Sequence, residues 1–515
     1  MKGLPAETDF IVIGAGVAGL RAAIDLAAAG RVLLLTKTEA PPRLAEVPLS
    51  DEEEVILHLQ DTLVAGDGLA SPEAAKIVIE EGAERIEELI SWAGRSSSFA
   101  KMSFESEPSY RHSHVLRAPG NSAAAEVLRQ LWSKAQTLKT LSVGEFQFAA
   151  ELLRDDERVN GVSVITDKGL PEEINCSAVL LATGGLGRVF GNTTNPDGAT
   201  GDGIALAFRA GAELSDLEFV QFCPTALYVK NAPRFPLSPA LRREGAFLRN
   251  IELDRFMRKY HPEAENAPAD VVSRAIVHEM EISRAKDPFV YLDLTHLNSA
   301  SVQKRFPRIY QTCMKHNLDI TEDLIPVRPA AHFAMGGVRA DMNGKTSLAG
   351  LYAAGEVACT GVHGANRFPS NALLEGLVCG ARAGKAMQNE LKIAPRTAIR
   401  EKKAASQNGP VDAGLEELIG QMQAAMWKNV GVVRMRPGMQ ETVKLLEGLA
   451  PRVGHPRTRR SFEAANLHAT ALLVTRSALA RQESRGAHYR IDYPGRDDKK
   501  FLKHSVIKGD SVRFI

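Results

Sequence analysis

Short hydrophobic runs that end in glycine predict an α/β fold. The first run, Phe10–Ile13, leads into Gly14–Gly19 and a helix, and a second strand is predicted at Val32–Leu35. Similar runs stand at Val179–Gly185 and Gly350–Glu356. Continuous apolar runs of this length are typical of parallel strands that are buried on both faces. The pattern therefore predicts one parallel sheet built from distant parts of the chain.

Apolar residues at helical spacing predict the remaining elements. We expect helices over about 73–93, 122–136 and 270–282. The segment 396–410 is rich in Arg, Lys, Ser, Asn, Gly and Pro and is predicted to be a linker. Beyond it, residues 411–515 are predicted to be mostly helical. No internal repeat stands out.

Composition and charge narrow the class of protein. The chain has 515 residues, with 63 Lys+Arg against 62 Asp+Glu, so no net field favours nucleic acid or an anionic membrane. No apolar run reaches the length of about 18 residues that a spanning helix needs, and the N-terminus lacks a secretory h-region. The five cysteines are scattered, which favours neither disulfides nor zinc and predicts a cytoplasmic protein. His112 and His114 are interpreted as loop histidines rather than metal ligands.

The segment Gly14-x-Gly16-x-x-Gly19 has the dinucleotide-binding pattern. Glycines there permit a tight turn and bring a pyrophosphate against backbone N–H groups at a helix N-terminus. Thr36-Lys37 stands where an acid usually ends the second strand, so a hydroxyl replaces the carboxylate as the ribose partner. Two further glycine turns, Ala182–Gly185 and Gly355-Glu356, suit a larger dinucleotide that lies across the sheet. Together they predict FAD rather than NAD.

Several motifs in combination resemble one flavoprotein family, that of succinate dehydrogenase, fumarate reductase and L-aspartate oxidase, and its L-aspartate oxidase branch most. They are Gly14–Gly19, Asp61–Gly66, Thr193–Pro196 with Gly201–Gly203, Glu218–Leu227, Ala240–Ala246, His363–Asn371, Glu483–Tyr489 and Asp492–Pro494. The resemblance covers about residues 8–395 and the C-terminal tail.

The resemblance implies an architecture of three parts. A Rossmann-like FAD-binding domain is expected over 1–220 and 330–395, with an α+β capping domain inserted at 221–329. A C-terminal helical bundle is expected over 411–515. In this α/β arrangement the substrate lies between the flavin and the cap.

The resemblance also implies a reaction and its partners. It is the FAD-dependent oxidation of L-aspartate to iminoaspartate, with oxygen or fumarate as acceptor, as the first step of de novo NAD biosynthesis. A small dicarboxylate substrate and a contact with quinolinate synthase are the expected partners. Two alternatives stay open: oxidation of another small carboxylic acid, and a catalytically impaired flavin-binding homologue that acts through a partner.

The candidate residues follow from the glycine turns and from the family motifs. Arg367 and His332 match the family's substrate-binding arginine and histidine and are the catalytic candidates; a dicarboxylate favours bidentate arginine. Cys223, Ser238 and Arg242 are substrate-binding candidates. The cofactor-binding candidates are Gly14, Ala15, Gly16, Gly19, Thr36, Lys37, Ala182, Thr183, Gly184, Asp202, Gly355, Glu356, Ser370, Asn371 and Leu373.

Some positions depart from the family pattern, mostly on the substrate side. Cys223 replaces a histidine, Ser238-Pro239 replaces a Thr-Glu pair, and Ala269 stands where the family has its cap arginine. Arg243 or Arg274 could substitute for that arginine, although Arg274 is also interpreted as an ordinary helix residue. The flavin loop expected after Lys37 is replaced by a shorter, Pro-rich and acidic stretch. Because the family's covalent flavin link needs a histidine of that loop, we expect non-covalent FAD.

Overall fold

The computed structural model describes most of the chain. The described residues are 4–40, 55–56, 59–93, 103–106, 114–117, 123–155, 158–166, 171–230, 232–368, 371–392, 414–454 and 456–515, and the side chains of 55–56, 103–106, 114–117, 123 and 392 are left aside. The Pro-rich and acidic stretch after Lys37, which is predicted to be a loop over 41–54, lies outside these residues, as do the predicted linker at 396–410, His112 and Ser370.

The elements are numbered along the chain. The strands are β1 (Phe10–Ile13), β2 (Val32–Leu35), β3 (Val55–Ile56), β4 (Ser103–Ser106), β5 (His114–Arg117), β6 (Leu141–Gly144), β7 (Phe148–Arg154), β8 (Val159–Ile165), β9 (Pro171–Asn175), β10 (Ala178–Leu181), β11 (Leu214–Ser215), β12 (Val220–Leu227), β13 (Phe247–Arg249), β14 (Val290–Asp293), β15 (Ile325–Ala334), β16 (Gly337–Arg339), β17 (Leu351–Ala353), β18 (Ala358–Cys359), β19 (Ser505–Lys508) and β20 (Ser511–Phe514). The helices are α1 (Val17–Leu26), α2 (Leu59–Ala65), α3 (Pro72–Trp92), α4 (Ala123–Ala135), α5 (Asp202–Ala210), α6 (Pro239–Arg243), α7 (Ala269–Ile282), α8 (Ser299–Arg305), α9 (Pro307–Met314), α10 (Asn371–Met387), α11 (Leu415–Val430), α12 (Arg436–Val453), α13 (Arg459–Ala480) and α14 (Asp498–Phe501).

A parallel five-stranded sheet forms the centre, in the order β17-β10-β1-β2-β6. The strands β1, β2 and β10 are buried at every position, which confirms the interpretation of their sequences as doubly covered strands. In register, Ile11 lies beside Val179 and Leu33. Because all five strands are parallel, their carboxyl ends meet at one edge, where dinucleotides bind in open α/β sheets.

Helices α1 and α10 pack closely against each other beside this sheet. Three glycines of α10, spaced four residues apart, face α1. A Cβ atom placed on Gly380 would lie 2.6 Å from the carbonyl oxygen of Ala18, and one on Gly384 would lie 2.9 Å from that of Ala22. The contact therefore depends on the absence of a side chain at these positions.

We expect Gly380→Ala to lower the free energy of unfolding by about 1–3 kcal/mol, because overpacking forces the two backbones apart. Gly448→Ala is the matched control, since Gly448 is also helical and has no atom within 4 Å of the added methyl group. Alanine there is expected to stabilise helix α12 by about 0.5–1 kcal/mol. Calorimetric melting of both variants would measure the difference. Equal melting temperatures would contradict the predicted close contact.

A second sheet, antiparallel and in the order β12-β15-β14-β13, carries its own hydrophobic cluster drawn from residues 227–327. Helix α7 packs on β12. Strand β12 begins at Val220 and β15 continues to Ala334. The limits 221 and 329 that the sequence suggests therefore fall at the start of one strand and inside the other.

The C-terminal region packs α11, α12 and α13 together, as the helical spacing predicts. The prediction does not hold for the last residues, where β19 and β20 form a hairpin whose first strand pairs with β11. This pairing joins residues almost 300 positions apart, so the local pattern of the chain contains no sign of it. Within the described part of the chain, no helix is both long and apolar enough to cross a membrane.

Candidate active site

The turn between β1 and α1 is built around glycines. Gly14 has φ +114°, and a Cβ atom there would overlap the carbonyl oxygen of Ala182. A Cβ atom on Gly19 would overlap the carbonyl oxygen of Gly14, whereas one on Gly16 would meet nothing within 4 Å. Ala15 is buried beside them. Gly16 thus faces open space at the N-terminus of α1, as a phosphate cradle requires.

Two more turns lie at the same edge of the sheet, after β10 and β17. Gly184 and Gly355 have φ of +75° and +74°, and a Cβ on Gly184 would meet nothing within 4 Å. The Oγ1 atom of Thr183 is buried and has no hydrogen-bond partner. The Oε1 atom of Glu356 accepts a hydrogen bond of 3.0 Å from the Ala334 N–H. The sheet therefore brings the three predicted glycine turns together.

The first residue of α10 adds a second unsatisfied group. Asn371 is fully buried and its Nδ2 donates to Thr62 Oγ1 at 2.8 Å, but its Oδ1 has no partner. Buried polar atoms are nearly always satisfied, so Oδ1 and the Thr183 hydroxyl indicate a polar ligand. With the open face of Gly16, these atoms fit FAD. Leu373 is partly buried and packs against the cluster around α1.

At the end of β2, the candidate residues pair with protein groups. Lys37 Nζ lies 2.6 Å from Asp202 Oδ2 and 3.2 Å from Glu463 Oε1. The Thr36 hydroxyl is buried and accepts from the Thr38 N–H at 3.4 Å. Glu463 belongs to α13, which the sequence does not associate with the cofactor. Helix α13 therefore contacts this edge of the sheet through the ion pair of Glu463 with Lys37. No local pattern in the sequence predicts this contact.

Arg367 is held by a glutamine that is not among the sequence candidates. Its Nη2 donates to Gln221 Oε1 at 3.1 Å, and Gln221 Nε2 donates back to the Arg367 carbonyl at 2.9 Å. The guanidinium carbon lies 4.4 Å from the centre of the Phe333 ring. Gln221 lies inside the motif Glu218–Leu227, and its position in that motif is the feature of the sequence that could have identified it as a site residue. These contacts fix the arginine's orientation.

His332 lies on β15, next to Phe333. Its Nδ1 is 2.7 Å from the Thr194 hydroxyl, and its carbonyl accepts from Asn195 Nδ2 at 2.7 Å. Burial, together with the charge of Arg367, lowers the pKa of His332 to about 3. The imidazole is therefore neutral at physiological pH and can form hydrogen bonds but no ion pair.

The charge of Arg367 also acts on two more candidates. It favours the ionised forms of Glu356 and Cys223, although burial dominates and raises the pKa of Glu356 to about 7 and that of Cys223 to about 11. The fold thus brings His332, Glu356 and Cys223 within electrostatic reach of Arg367. Cys223 is a neutral, buried thiol.

The other two substrate candidates serve the local structure. The Ser238 hydroxyl accepts from the Ala240 N–H at 3.1 Å and caps α6. Arg242 is buried and donates from Nη1 to Thr225 Oγ1 at 3.2 Å and from Nε to the Glu265 carbonyl at 3.0 Å. Burial lowers the pKa of Arg242 to about 10. Ser238 thus stabilises the start of α6, and Arg242 joins α6 to β12 and to the segment around Glu265.

Two of the residues that differ from the family pattern, and the arginines that could compensate for them, lie on helices α6 and α7. Ala269 and Pro239 are the first residues of α7 and α6. Arg274 forms an ion pair of 2.8 Å with Asp270 and stacks on Tyr489 at 4.7 Å. These contacts fit an ordinary helix residue better than a replacement for the cap arginine. Arg243 is exposed. No three His, Cys, Asp or Glu side chains among the described residues form a metal site.

The raised pKa of Glu356 gives a pH-dependent prediction for the cofactor-free protein. Its carboxyl group stabilises the fold fully below its ordinary pKa near 4.5 and loses that contribution as the pH rises through about 7. The melting temperature of the native protein, minus that of Glu356→Gln, is therefore expected to fall between pH 5 and pH 8. Calorimetry at both pH values measures it. A difference independent of pH would contradict the burial of this carboxylate.

Comparisons with known proteins agree with this geometry. The FAD binding domain family matches residues 9–373, and the fumarate reductase flavoprotein C-terminal family matches 420–514. The E. coli quinol fumarate reductase FrdA and the Mycobacterium smegmatis Sdh1 have TM-scores of 0.85 and 0.84, at 28% and 27% identity. Each comparison covers 99% of this chain, and 96% and 94% of the other chains. The predicted fold class is confirmed.

Relatives of known name are more similar in sequence. The L-aspartate oxidase of Streptomyces coelicolor is 37% identical, over 98% of this chain and 92% of its own length. That of Mycobacterium tuberculosis is 38% identical over 94% and 92%, and the chloroplastic enzyme of Arabidopsis thaliana 37% over 97% and 83%. With the FAD cradle and the Arg367 site in place, the chain belongs to the L-aspartate oxidase branch of the succinate dehydrogenase and fumarate reductase flavoproteins.

Proposed function

We propose that this protein oxidises L-aspartate to iminoaspartate with FAD, and that oxygen or fumarate is the final electron acceptor. The reaction is the first step of de novo NAD biosynthesis. The observation that carries the proposal is the position of Arg367, which contacts Gln221 and Phe333 and acts electrostatically on His332 and on Glu356 of one glycine turn. The identity of the substrate is inferred from membership of the L-aspartate oxidase branch.

In this proposal the protein binds and orients the substrate. Arg367 pairs with a substrate carboxylate, for which a guanidinium supplies two parallel donors. Neutral His332 adds a hydrogen bond without adding charge, because burial keeps its pKa low. FAD, when bound, accepts the two electrons that the substrate loses. Gly16, Thr183, Gly184, Glu356 and Asn371 are the residues that would hold it.

On the cap side of the site, the positions that differ from the family pattern carry no charge. Cys223, Pro239 and Ala269 offer a neutral thiol and apolar groups where the family pattern has a histidine, a carboxylate and an arginine. A lost charged hydrogen bond costs roughly 2–5 kcal/mol. We therefore propose an altered site whose turnover of L-aspartate is slower than its fold suggests.

The same observation favours the second candidate. A cap wall without a cation at Ala269 suits a small acid with one carboxylate, or a homologue that binds flavin and acts through a partner. A panel of small carboxylic acids distinguishes three hypotheses: an L-aspartate oxidase, an oxidase of another small acid, and a flavin-binding homologue that acts through a partner. Bleaching with L-aspartate alone supports the oxidase, bleaching with another acid supports the second, and no bleaching supports the third.

The deciding experiment is an anaerobic titration of the flavin-loaded protein with L-aspartate. The expected result is loss of the flavin's visible absorbance, followed by its return when oxygen or fumarate is admitted. D-Aspartate is the matched control, since it offers the same charges with the opposite arrangement at the α-carbon. Flavin that stays oxidised with L-aspartate would contradict the proposed function.

Four further points accompany the proposal. FAD is bound non-covalently, which extraction of intact FAD by mild acid would support and retention in the precipitate would contradict. The FAD-binding domain comprises about 1–220 and 330–395, the cap about 221–329 and the mostly helical domain 411–515, with β12 and β15 running across the limits of the cap and the β19–β20 hairpin ending the last domain. The protein is cytoplasmic. It meets quinolinate synthase, which would take up the unstable iminoaspartate.

A further inference from the structure

A tight turn near the C-terminus lies directly behind the substrate arginine. In this C-terminal turn (Glu483–His488), the backbones of Arg485 and His488 exchange two hydrogen bonds of 2.9 Å. The next contact leaves the turn, because the Ala487 N–H donates to the Ala365 carbonyl at 2.9 Å. Ala365 is two residues before Arg367.

Gly486, at the tip of the turn, touches the same segment. It has φ +51°, and a Cβ atom placed there would lie 2.6 Å from the carbonyl carbon of Ala365. Its N–H donates to Asp67 Oδ2 at 2.8 Å, while the Ala365 N–H donates to the Gly66 carbonyl at 3.0 Å. Three distant segments are thus joined by their backbones at one point.

Buried ion pairs hold the turn from below. Arg481 Nε lies 2.7 Å from Glu218 Oε1, and Arg481 Nη1 lies 3.0 Å from Glu483 Oε1; all three side chains are 0% exposed. Arg485 Nε pairs with Glu483 Oε1 at 2.7 Å. Fully buried pairs tolerate little change in geometry, since an unpaired charge there is strongly destabilising. Glu218 precedes Gln221, the partner of Arg367, by three residues.

Contacts with aromatic rings also connect the C-terminal turn with Arg367. The Arg481 guanidinium stacks on Phe219 at 4.8 Å. Phe219, Phe333 and Ala365 share one small hydrophobic cluster against which Ala487 packs. Arg367 lies over Phe333 at the other end. The backbone of Arg367 and the ring under its guanidinium are therefore both in contact with the C-terminal region.

We propose that the C-terminal turn is a positioning element that sets the place of Arg367 and thereby the affinity for the substrate carboxylate. The inference rests on the proposed function for the identity of the substrate. The residues of the turn do not touch the substrate themselves. They fix the backbone on one side of Arg367 and, through Glu218 and Phe219, the strand that carries Gln221.

The test compares Gly486→Ala with Gly509→Ala. Both glycines have positive φ, +51° and +58°, so both variants carry the same kind of backbone strain, but Gly509 has no atom within 4 Å of the added methyl group. We expect Gly486→Ala to raise the Kd for succinate, followed by perturbation of the flavin spectrum, by about tenfold or more, because small displacements of a binding group are costly. FAD content should match that of Gly509→Ala, whereas the melting temperature of Gly486→Ala is expected to be lower because of the clash with Ala365. A crystal structure of Gly486→Ala should show the guanidinium moved off Phe333.

Each outcome decides the inference. Unchanged succinate binding, or an undisplaced Arg367, would overturn it. If Gly486→Ala does not fold, Asp67→Gly replaces it, since φ +52° at Asp67 suits glycine and the change removes the acceptor of the Gly486 N–H; there, unchanged binding also overturns the inference. If the unmodified protein neither binds succinate nor oxidises L-aspartate, the proposed function fails, and the place of Arg367 in the two crystal structures alone decides.

Discussion

Arg367→Lys is expected to lower kcat/KM for L-aspartate by about 100-fold, and Arg367→Ala by about 1000-fold. A lysine ammonium can supply charge, but it cannot bind Gln221 Oε1, lie flat on Phe333 and present two parallel donors at once. The loss of a charged hydrogen bond to a carboxylate costs roughly 2–5 kcal/mol, and about 1.36 kcal/mol corresponds to tenfold.

Arg339→Lys is the control for this change. Arg339 is 46% exposed and pairs with Glu213 at 2.8 Å, and exposed pairs contribute little. We expect its kcat/KM to stay within about twofold of the native value. Steady-state oxygen consumption measures all three variants, with FAD content checked first. Native activity in Arg367→Lys would mean that this arginine does not bind the substrate.

Gly16→Ala is expected to raise the Kd for FAD by about 100-fold or more, while the cofactor-free protein melts almost as the native one does. The added methyl group meets no protein atom within 4 Å, and the backbone of Gly16 (φ −73°, ψ −175°) is open to alanine. The methyl group projects instead into the space that the pyrophosphate needs. The variant should therefore be folded and colourless.

Gly420→Ala provides the matched control for the cofactor. Its added methyl group also meets nothing within 4 Å, but it lies on α11, away from the glycine turns. We expect this variant to be yellow, with native affinity for FAD. Fluorescence titration of the cofactor-free proteins with FAD measures both. If Gly16→Ala binds FAD normally, the phosphates lie elsewhere and the cradle is wrongly assigned.

The structure shows whether neighbouring arginines could compensate for the cap residues that differ from the family pattern. The sequence shows only that Ala269, Pro239 and Cys223 differ from the family pattern. In the structure, Arg243 is exposed at the end of α6. Arg274 is tied to Asp270. Arg274 lines a small cavity together with Gln221 and Asn366, but its charge is already paired with that of Asp270, and we therefore expect slow turnover.

The amino-acid sequence by itself determined the local framework of this protein. Buried strands at Phe10–Ile13 and Val32–Leu35, the glycine turn after the first of them and the helix α7 all follow from short-range patterns of apolar residues, glycine and proline. Hydrophobic burial and backbone freedom act over a few residues, so such patterns are visible without a fold. The family motifs extended this framework to FAD, Arg367 and His332.

Only the tertiary structure decided how these residues are used. Gln221 and Arg367 are 146 positions apart, Lys37 meets Glu463 of the C-terminal helix, and the turn around Gly486 contacts Ala365. The contacts of Asp202 with Lys37 and of Arg242 with Thr225 likewise join distant parts of the chain. Side-chain partners across such distances depend on how sheets and helices pack in three dimensions, and the linear pattern of the chain does not contain that information.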